Sequence, residues 1–194
     1  MIHELVTANR SCRSFNPARK ITEAELLELA DCARLCPSSV NLQPLKYYLA
    51  WEAEETARIL ALTKWAAALP ELHLPRPGTE PAAFIIVLQD QEISAAPTTF
   101  LKDVGIVSQT ILLAAAEKGL AGCMIGNFRP AELQAALHLP ETLLPQLVLA
   151  LGEPAETAVI EEIAPGDSTA YWRDAQDVHH VPKRRLEDVV VTGQ

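Results

Sequence analysis

From Phe100 to Lys118 the chain carries a helix that is apolar almost all the way round. Val104, Val107, Ile111 and Ala114 share one face, while Ile106, Leu112, Leu113 and Ala115 cover the others. Gly119 follows where a left-handed cap would close it. A helix with no polar side has nothing to offer water, so it is expected to be buried all round, at the centre of the fold, with a subunit interface as a further cover. It is too short to be a membrane span. Its charge-free stretch, Val104 to Ala116, falls well below the roughly 20 residues a bilayer needs.

The rest of the chain mixes helices with a few strands. Met1–Ala8 reads as a short helix. Thr22 and Glu25 form a capping box, and Leu26, Leu29, Ala30 and Ala33 make the apolar stripe of a helix ended by Pro37. Lys46–Trp51 is rich in strand formers, and Phe84–Leu88, Ala121–Gly126 and Gln146–Gly152 are apolar runs of strand length. Glu52–Leu69 reads as a helix with acidic residues in its first turn. Pro70–Pro81, with its four prolines, reads as a loop, and Pro130 opens a short helix to about His138. The tail from Asp167 is polar. In it, His179-His180 reads as a solvated pair and Val189–Val191 as a strand for a sheet edge. Together these predict one domain over residues 1–194, α+β, with helices outweighing strands.

Charge excludes some functions and leaves others. The balance of 16 Lys+Arg against 25 Asp+Glu, net −9, argues against a nucleic-acid binder, whose affinity comes from clustered cations. The start Met1-Ile2-His3-Glu4-Leu5 has no basic, apolar export pattern, and the four cysteines (12, 32, 36 and 123) form no C-x-x-C pair. A soluble cytoplasmic protein with reduced thiols is expected, with neither membrane nor nucleic acid as a partner. Cys32, Cys36 and the His pair match no standard zinc spacing, so no metal is expected and these thiols read as small hydrophobes. The dinucleotide fingerprint, the phosphate loop and the serine-hydrolase elbow are all missing.

What stands out in an acidic chain is unevenly placed positive charge. Arg10 and Arg13 flank Ser11, and Lys183-Arg184-Arg185 lies in the tail. Arginine forks beside hydroxyls suit a phosphate monoester, although ordinary surface cations would read the same way. The loop Pro37-Ser38-Ser39-Val40-Asn41-Leu42-Gln43-Pro44 sets amides and hydroxyls between prolines. Such a loop can bind a flat heterocycle or cap its own backbone, and composition does not separate the two.

Taken in order, Arg10-Ser11-Cys12-Arg13-Ser14-Phe15, Pro37-Ser38-Ser39-x-Asn41-x-Gln43-Pro44, Gly119-Leu120-x-Gly122-Cys123-x-Ile125-Gly126 and Leu151-Gly152-x-Pro154, with the basic tail, resemble the nitroreductase family of flavin enzymes. The resemblance runs from residue 10 to about 190. It implies a three-layer sandwich with a central, mostly antiparallel sheet flanked by helices, in an intertwined homodimer with FMN at the subunit interface. It also implies ping-pong transfer of electrons from NAD(P)H, through the flavin, to a small electron-poor acceptor such as a nitroaromatic or quinone. Arg10, Ser11 and Arg13 match the N-terminal flavin-binding motif. Lys183 and Arg185 match tail positions near the phosphate, with Arg184 as the alternative if the register shifts by one. Pro37, Ser38, Ser39, Asn41 and Gln43 match a loop that reaches the flavin from the partner subunit, and Ile125, Gly126 and Asn127 match the strand end beside its reactive edge. No protein nucleophile is implied. Arg13 would stabilise negative charge on reduced flavin, and Gly126 would let substrate stack closely. An FMN carrier or redox sensor without turnover, and related flavin activities such as a dehalogenase or dehydrogenase, would use the same residues. Asn9 and Met124 depart from the family pattern, which bears on the substrate more than on the flavin.

Overall fold

In the computed structural model of the chain, which describes residues 1–67, 69–96 and 98–193, the core is built on an antiparallel sheet. Its strands are β1 (Leu45–Ala50), β2 (Ala83–Asp90), β3 (Ala121–Ile125) and β4 (Leu143–Gly152), in the order β1-β2-β4-β3. All eight residues of β2 are buried, because both of its faces are covered. Ile85 and Val87 pack with Leu26, Leu29 and Ala33 of α2 (Glu23–Arg34) and with Val104, Val107 and Ile111 of α4 (Leu101–Glu117). Phe84, Ile86 and Leu88 point the other way, to Ile59 of α3 (Ala53–Ala61) and Leu133 of α5 (Pro130–Ala136), with Cys12 and Phe15. The result is the expected α+β sandwich: helices, antiparallel sheet, helices. Among the described residues no helix is long and apolar enough to cross a membrane.

Local chemistry explains several boundaries. The Thr22 hydroxyl accepts from the Glu25 N–H at 3.3 Å and the Glu25 carboxylate accepts from the Thr22 N–H at 2.9 Å, the reciprocal capping read from the sequence. α4 differs from expectation. Asp103, Val104, Val107, Ser108, Ile111, Leu112 and Ala115 are buried, but Leu101 and Ile106 are 51% and 40% exposed. Only one face of this helix is covered within the protomer.

Other predictions need correcting. The helix read over Glu52–Leu69 stops at Ala61, because the chain beyond it turns to pair with the segment after β3. Thr63 bridges Phe128, and the Lys64 N–H donates to the Asn127 carbonyl at 2.8 Å. Ala68, inside that predicted helix, lies outside the described residues. The strand read at Val189–Val191 is instead the end of a single turn, α6 (Leu186–Val189), followed by exposed chain. Cys32 is exposed rather than packed.

A second sheet was not legible in the sequence. β5 (Ala158–Ile163) pairs in parallel with β7 (His179–Arg184), and β6 (Trp172–Arg173) pairs with β7 on its other side. β6 meets only His179 and His180, so Pro182 falls where β7 has an open edge and needs no second donor. The histidine pair is not solvated as predicted. His179 is 2% exposed, and His180 stacks on Trp172 with ring centroids 3.9 Å apart.

Candidate functional site

The N-terminal motif runs beside the far edge of the sheet. Ser11 bridges Gly122, and the Cys12 N–H donates to the Gly122 carbonyl at 2.9 Å. Gly122 is buried, and a Cβ there would stand 2.5 Å from the Ala150 carbonyl oxygen. Phe15 lies over Gly152 so closely that a Cβ on that glycine would come within 2.6 Å of its ring. These close approaches hold Arg10 to Phe15 in place, with Cys12 and Phe15 packed into the core and the Arg13 side chain turned toward Tyr171 and His179.

Arg13 is the buried centre of the site. Its backbone N–H donates to Glu156 Oε1 at 2.6 Å, its guanidinium lies 5.0 Å from the Tyr171 ring centroid, and Nη1 is 3.5 Å from His179 Nε2. The other oxygen of Glu156 pairs with Arg173, whose guanidinium also reaches Asp177, and Asp177 pairs with Arg76. Glu156 is therefore committed to groups other than the Arg13 side chain. Among the described residues Arg10, Arg13, Lys64 and Lys183 have no carboxylate partner.

These cations converge on one cleft made of two hollows that meet at Arg13 and Tyr171. One, about 210 Å³, is lined by Asn9, Arg10, Ser11, Arg13, Tyr171, His179, Val181 and Lys183. The other, about 160 Å³, is lined by Arg13, Lys64, Trp65, Met124, Ile125, Gly126 and Asn127, among others. Among the described residues no carboxylate lines either hollow, although the chain has 25 of them. Arg10 Nε and His179 Nδ1 are buried there without a hydrogen-bond partner. Burial, and then the neighbouring guanidinium groups of Arg13 and Arg173, push the His179 pKa down to about 4. Burial pushes the Cys12 thiol up to about 12 and raises that of Cys123, so neither is a nucleophile. A larger hollow of about 700 Å³, lined by Trp51, Ile21, Phe84 and α3, gathers no comparable set of cations.

Of the residues predicted for the site, Arg10, Ser11, Arg13, Ile125, Gly126, Asn127 and Lys183 line the cleft. Arg185 does not. It sits 3.7 Å from both Glu162 and Glu187, and Arg184 is exposed nearby. Nor does the loop Pro37–Gln43 reach the cleft within this protomer. Buried Asp103 of α4 accepts from the Ser38 hydroxyl at 2.7 Å, the Ser39 hydroxyl at 3.1 Å and the Ser39 N–H at 3.1 Å. The Ser38 hydroxyl in turn accepts from the Gln43 N–H at 2.9 Å. Val40, Asn41 and Gln43 hold φ values of 48°, 55° and 54°, and the Asn41 and Gln43 amides are exposed. Pro37, Ser38 and Gln43 border a separate hollow of about 140 Å³ with Tyr47 and Val107.

Tyr171, His179, Lys64 and Trp65 were missed. The one available signal was aromatic: Tyr171-Trp172 and His179-His180 are ring pairs in an otherwise polar tail, and such pairs pay for their area by packing.

A helix–sheet–helix sandwich of this strand order, with the two chain ends meeting in a cation-lined cleft, is an α+β fold of the nitroreductase kind. The chain belongs to the nitroreductase family, whose sequence profile matches residues 6–153. A protein of Methanothermobacter thermautotrophicus named as an NADH dehydrogenase/NAD(P)H nitroreductase is 28% identical over 157 residues, spanning 79% of this chain and 77% of that one. The crystal structure of a nitroreductase family protein from Clostridium difficile 630 superposes with a TM-score of 0.63 at 25% identity, covering 80% of this chain and 85% of its own. A protein from Exiguobacterium sibiricum, named as a nitroreductase and solved in complex with FMN, superposes at 0.66 with 22% identity, covering 80% and 89%.

Proposed function

We propose that this protein is an FMN-dependent oxidoreductase that works as a homodimer over its whole length, 1–194, passing electrons from NAD(P)H to an electron-poor acceptor such as a nitroaromatic or quinone by a ping-pong route. The observation that carries this reading is the cleft itself: among the described residues it gathers four cations without carboxylate partners and two orphan donors, with no carboxylate in its lining, in an acidic chain. Those groups fit a phosphate monoester joined to a flat ring system. FMN would supply the hydride and electron chemistry.

The protein's own residues then have distinct tasks. Arg10, Ser11 and Lys183 hold the phosphate, with charge-assisted hydrogen bonds that are stronger than neutral ones. Arg13, buried and not neutralised by Glu156, stands ready to stabilise negative charge as it develops on the ring. Gly126 leaves room for a stacked substrate, since nothing lies within 4 Å of where its Cβ would be. Ile125 and Asn127 frame that space with their backbone.

Pro37, Ser38, Ser39, Asn41 and Gln43 act from the partner subunit. Their loop hangs from α4 through Asp103, and α4 keeps the apolar side chains Leu101 and Ile106 exposed. A copy packed on that face would bring the loop to its neighbour's cleft.

The test is the spectrum of the purified protein. It should be yellow, or turn yellow on adding FMN, and bleach anaerobically with NADH or NADPH. Arg13→Ala should bind FMN about tenfold more weakly or worse, the loss of one charge-assisted hydrogen bond. A protein that stays colourless after FMN is added sinks the proposal, and bound flavin that no reduced nicotinamide bleaches marks a carrier instead.

A further inference from the structure

β7 carries two adjacent histidines that face opposite sides of the small sheet. His180 faces Trp172, and its ring nitrogens contact the Glu161 carboxylate at 2.6 Å and the Asp174 carboxylate at 3.2 Å. His179 faces the cleft. Its ring meets Tyr171 edge-on at 5.3 Å, with Nε2 3.5 Å from Arg13 Nη1. Guanidinium nitrogens only donate, so this contact makes Nε2 the acceptor and assigns the ring proton to Nδ1.

That Nδ1–H is buried and has no partner among the described residues. Buried donors without acceptors are rare in folded proteins. This one shares its cleft with a second orphan, Arg10 Nε, and with three cations, Arg10, Arg13 and Lys183. The charged and titratable groups around the ring on balance keep it neutral. Arg13 and Arg173 oppose its protonation, Glu156, bonded to Arg173 and the Arg13 N–H, favours it more weakly, and His180 adds a little further opposition from the next residue. Burial is the largest influence, and the ring stays neutral down to about pH 4.

We propose that His179 is itself a ligand-binding residue: a neutral imidazole, locked by Arg13 in its Nδ1–H form, that donates to an oxygen of the phosphate monoester held by Arg10, Ser11 and Lys183. The inference rests on the reading of the cleft as an FMN site and adds to it a residue outside every motif that suggested the site. A neutral donor suits the position because it adds a directed hydrogen bond without crowding a fourth positive charge among three.

The experiment compares wild-type protein with His179→Leu, which removes both ring nitrogens, and His179→Asn, whose amide nitrogen falls near the place of Nδ1. Dissociation constants for FMN and riboflavin are read from flavin fluorescence, and the histidine ring from its ¹⁵N spectrum. The Leu variant should lose about tenfold or more in FMN affinity, as expected for a hydrogen bond to a charged group, and little for riboflavin. The Asn variant should recover most of that loss and, with circular dichroism, separates it from misfolding. In wild type the ¹⁵N spectrum should show a neutral Nδ1–H ring at pH 7 that shifts when FMN or inorganic phosphate is added. Unchanged FMN affinity in the Leu variant, an equal loss for riboflavin, or a protonated ring at pH 7 overturns the assignment of His179 alone. A wild-type protein that binds neither FMN nor phosphate overturns the reading of the cleft and this inference with it.

Discussion

The proposed stacking space near Gly126 is defined by what is missing from a single residue. Gly126 does not use the left-handed backbone region, so a side chain there meets no conformational strain, and a Cβ would project into open space. Gly126→Val should therefore fold with stability within about 0.5 kcal/mol of wild type. It should also slow flavin reduction by NAD(P)H at least tenfold, as the branched side chain fills the stacking position; stopped-flow absorbance and thermal melts measure the two effects. An unchanged reduction rate would mean that substrate approaches from elsewhere. Arg10, Ser11, Arg13 and Gly126 were legible because each lies in a short run with its own spacing. His179 was not. Its burial comes from contact with Arg13, 166 positions away in the chain, and nothing local to His179-His180 signals it.

Among the elements, α4 links the core to the loop. Asp103, in its first turn and 2% exposed, takes hydrogen bonds from both Ser38 and Ser39 and so holds a loop with left-handed backbone at Val40, Asn41 and Gln43 to a rigid helix. Asp103→Ala leaves those donors without their acceptor. It should cost about 3 kcal/mol in denaturant unfolding and open the Pro37–Pro44 segment to limited proteolysis. Protection of that segment in the variant would show that the loop is held by something else. β2, β4 and α4 were readable because long apolar runs admit few other structures, and α2 because its capping box and stripe agree. The overlong helix from Glu52 and the unseen β5–β7 sheet share one cause. In both, pairing with distant segments overrides local preference, with Thr63 drawn to Phe128 and β5 to β7.

For the whole molecule, the uncovered side of α4 and the loop attached to it are where the proposed second subunit would complete the site. Ile106→Glu puts a charge on that uncovered side. It should convert a dimer to a monomer in analytical ultracentrifugation and release flavin, while leaving the sandwich folded because Ile106 takes no part in the protomer's core. A variant that still sediments as a dimer would move the interface to another surface. The all-round apolar pattern predicted cover on every side, whereas the protomer covers one, and one sequence does not show which side its own chain supplies.

Glu156, Arg173, Asp177 and Arg76 tie the second sheet to the N-terminal motif and to the proline-rich loop, and the cleft opens between the parts they join. A bound ligand would thus act as a clasp between the two ends of the polypeptide. At a hundred times its dissociation constant it would add about 2.7 kcal/mol to their hold on each other. The tail beyond residue 153, outside the span that marks the family, would then owe much of its order to the molecule it helps to grip.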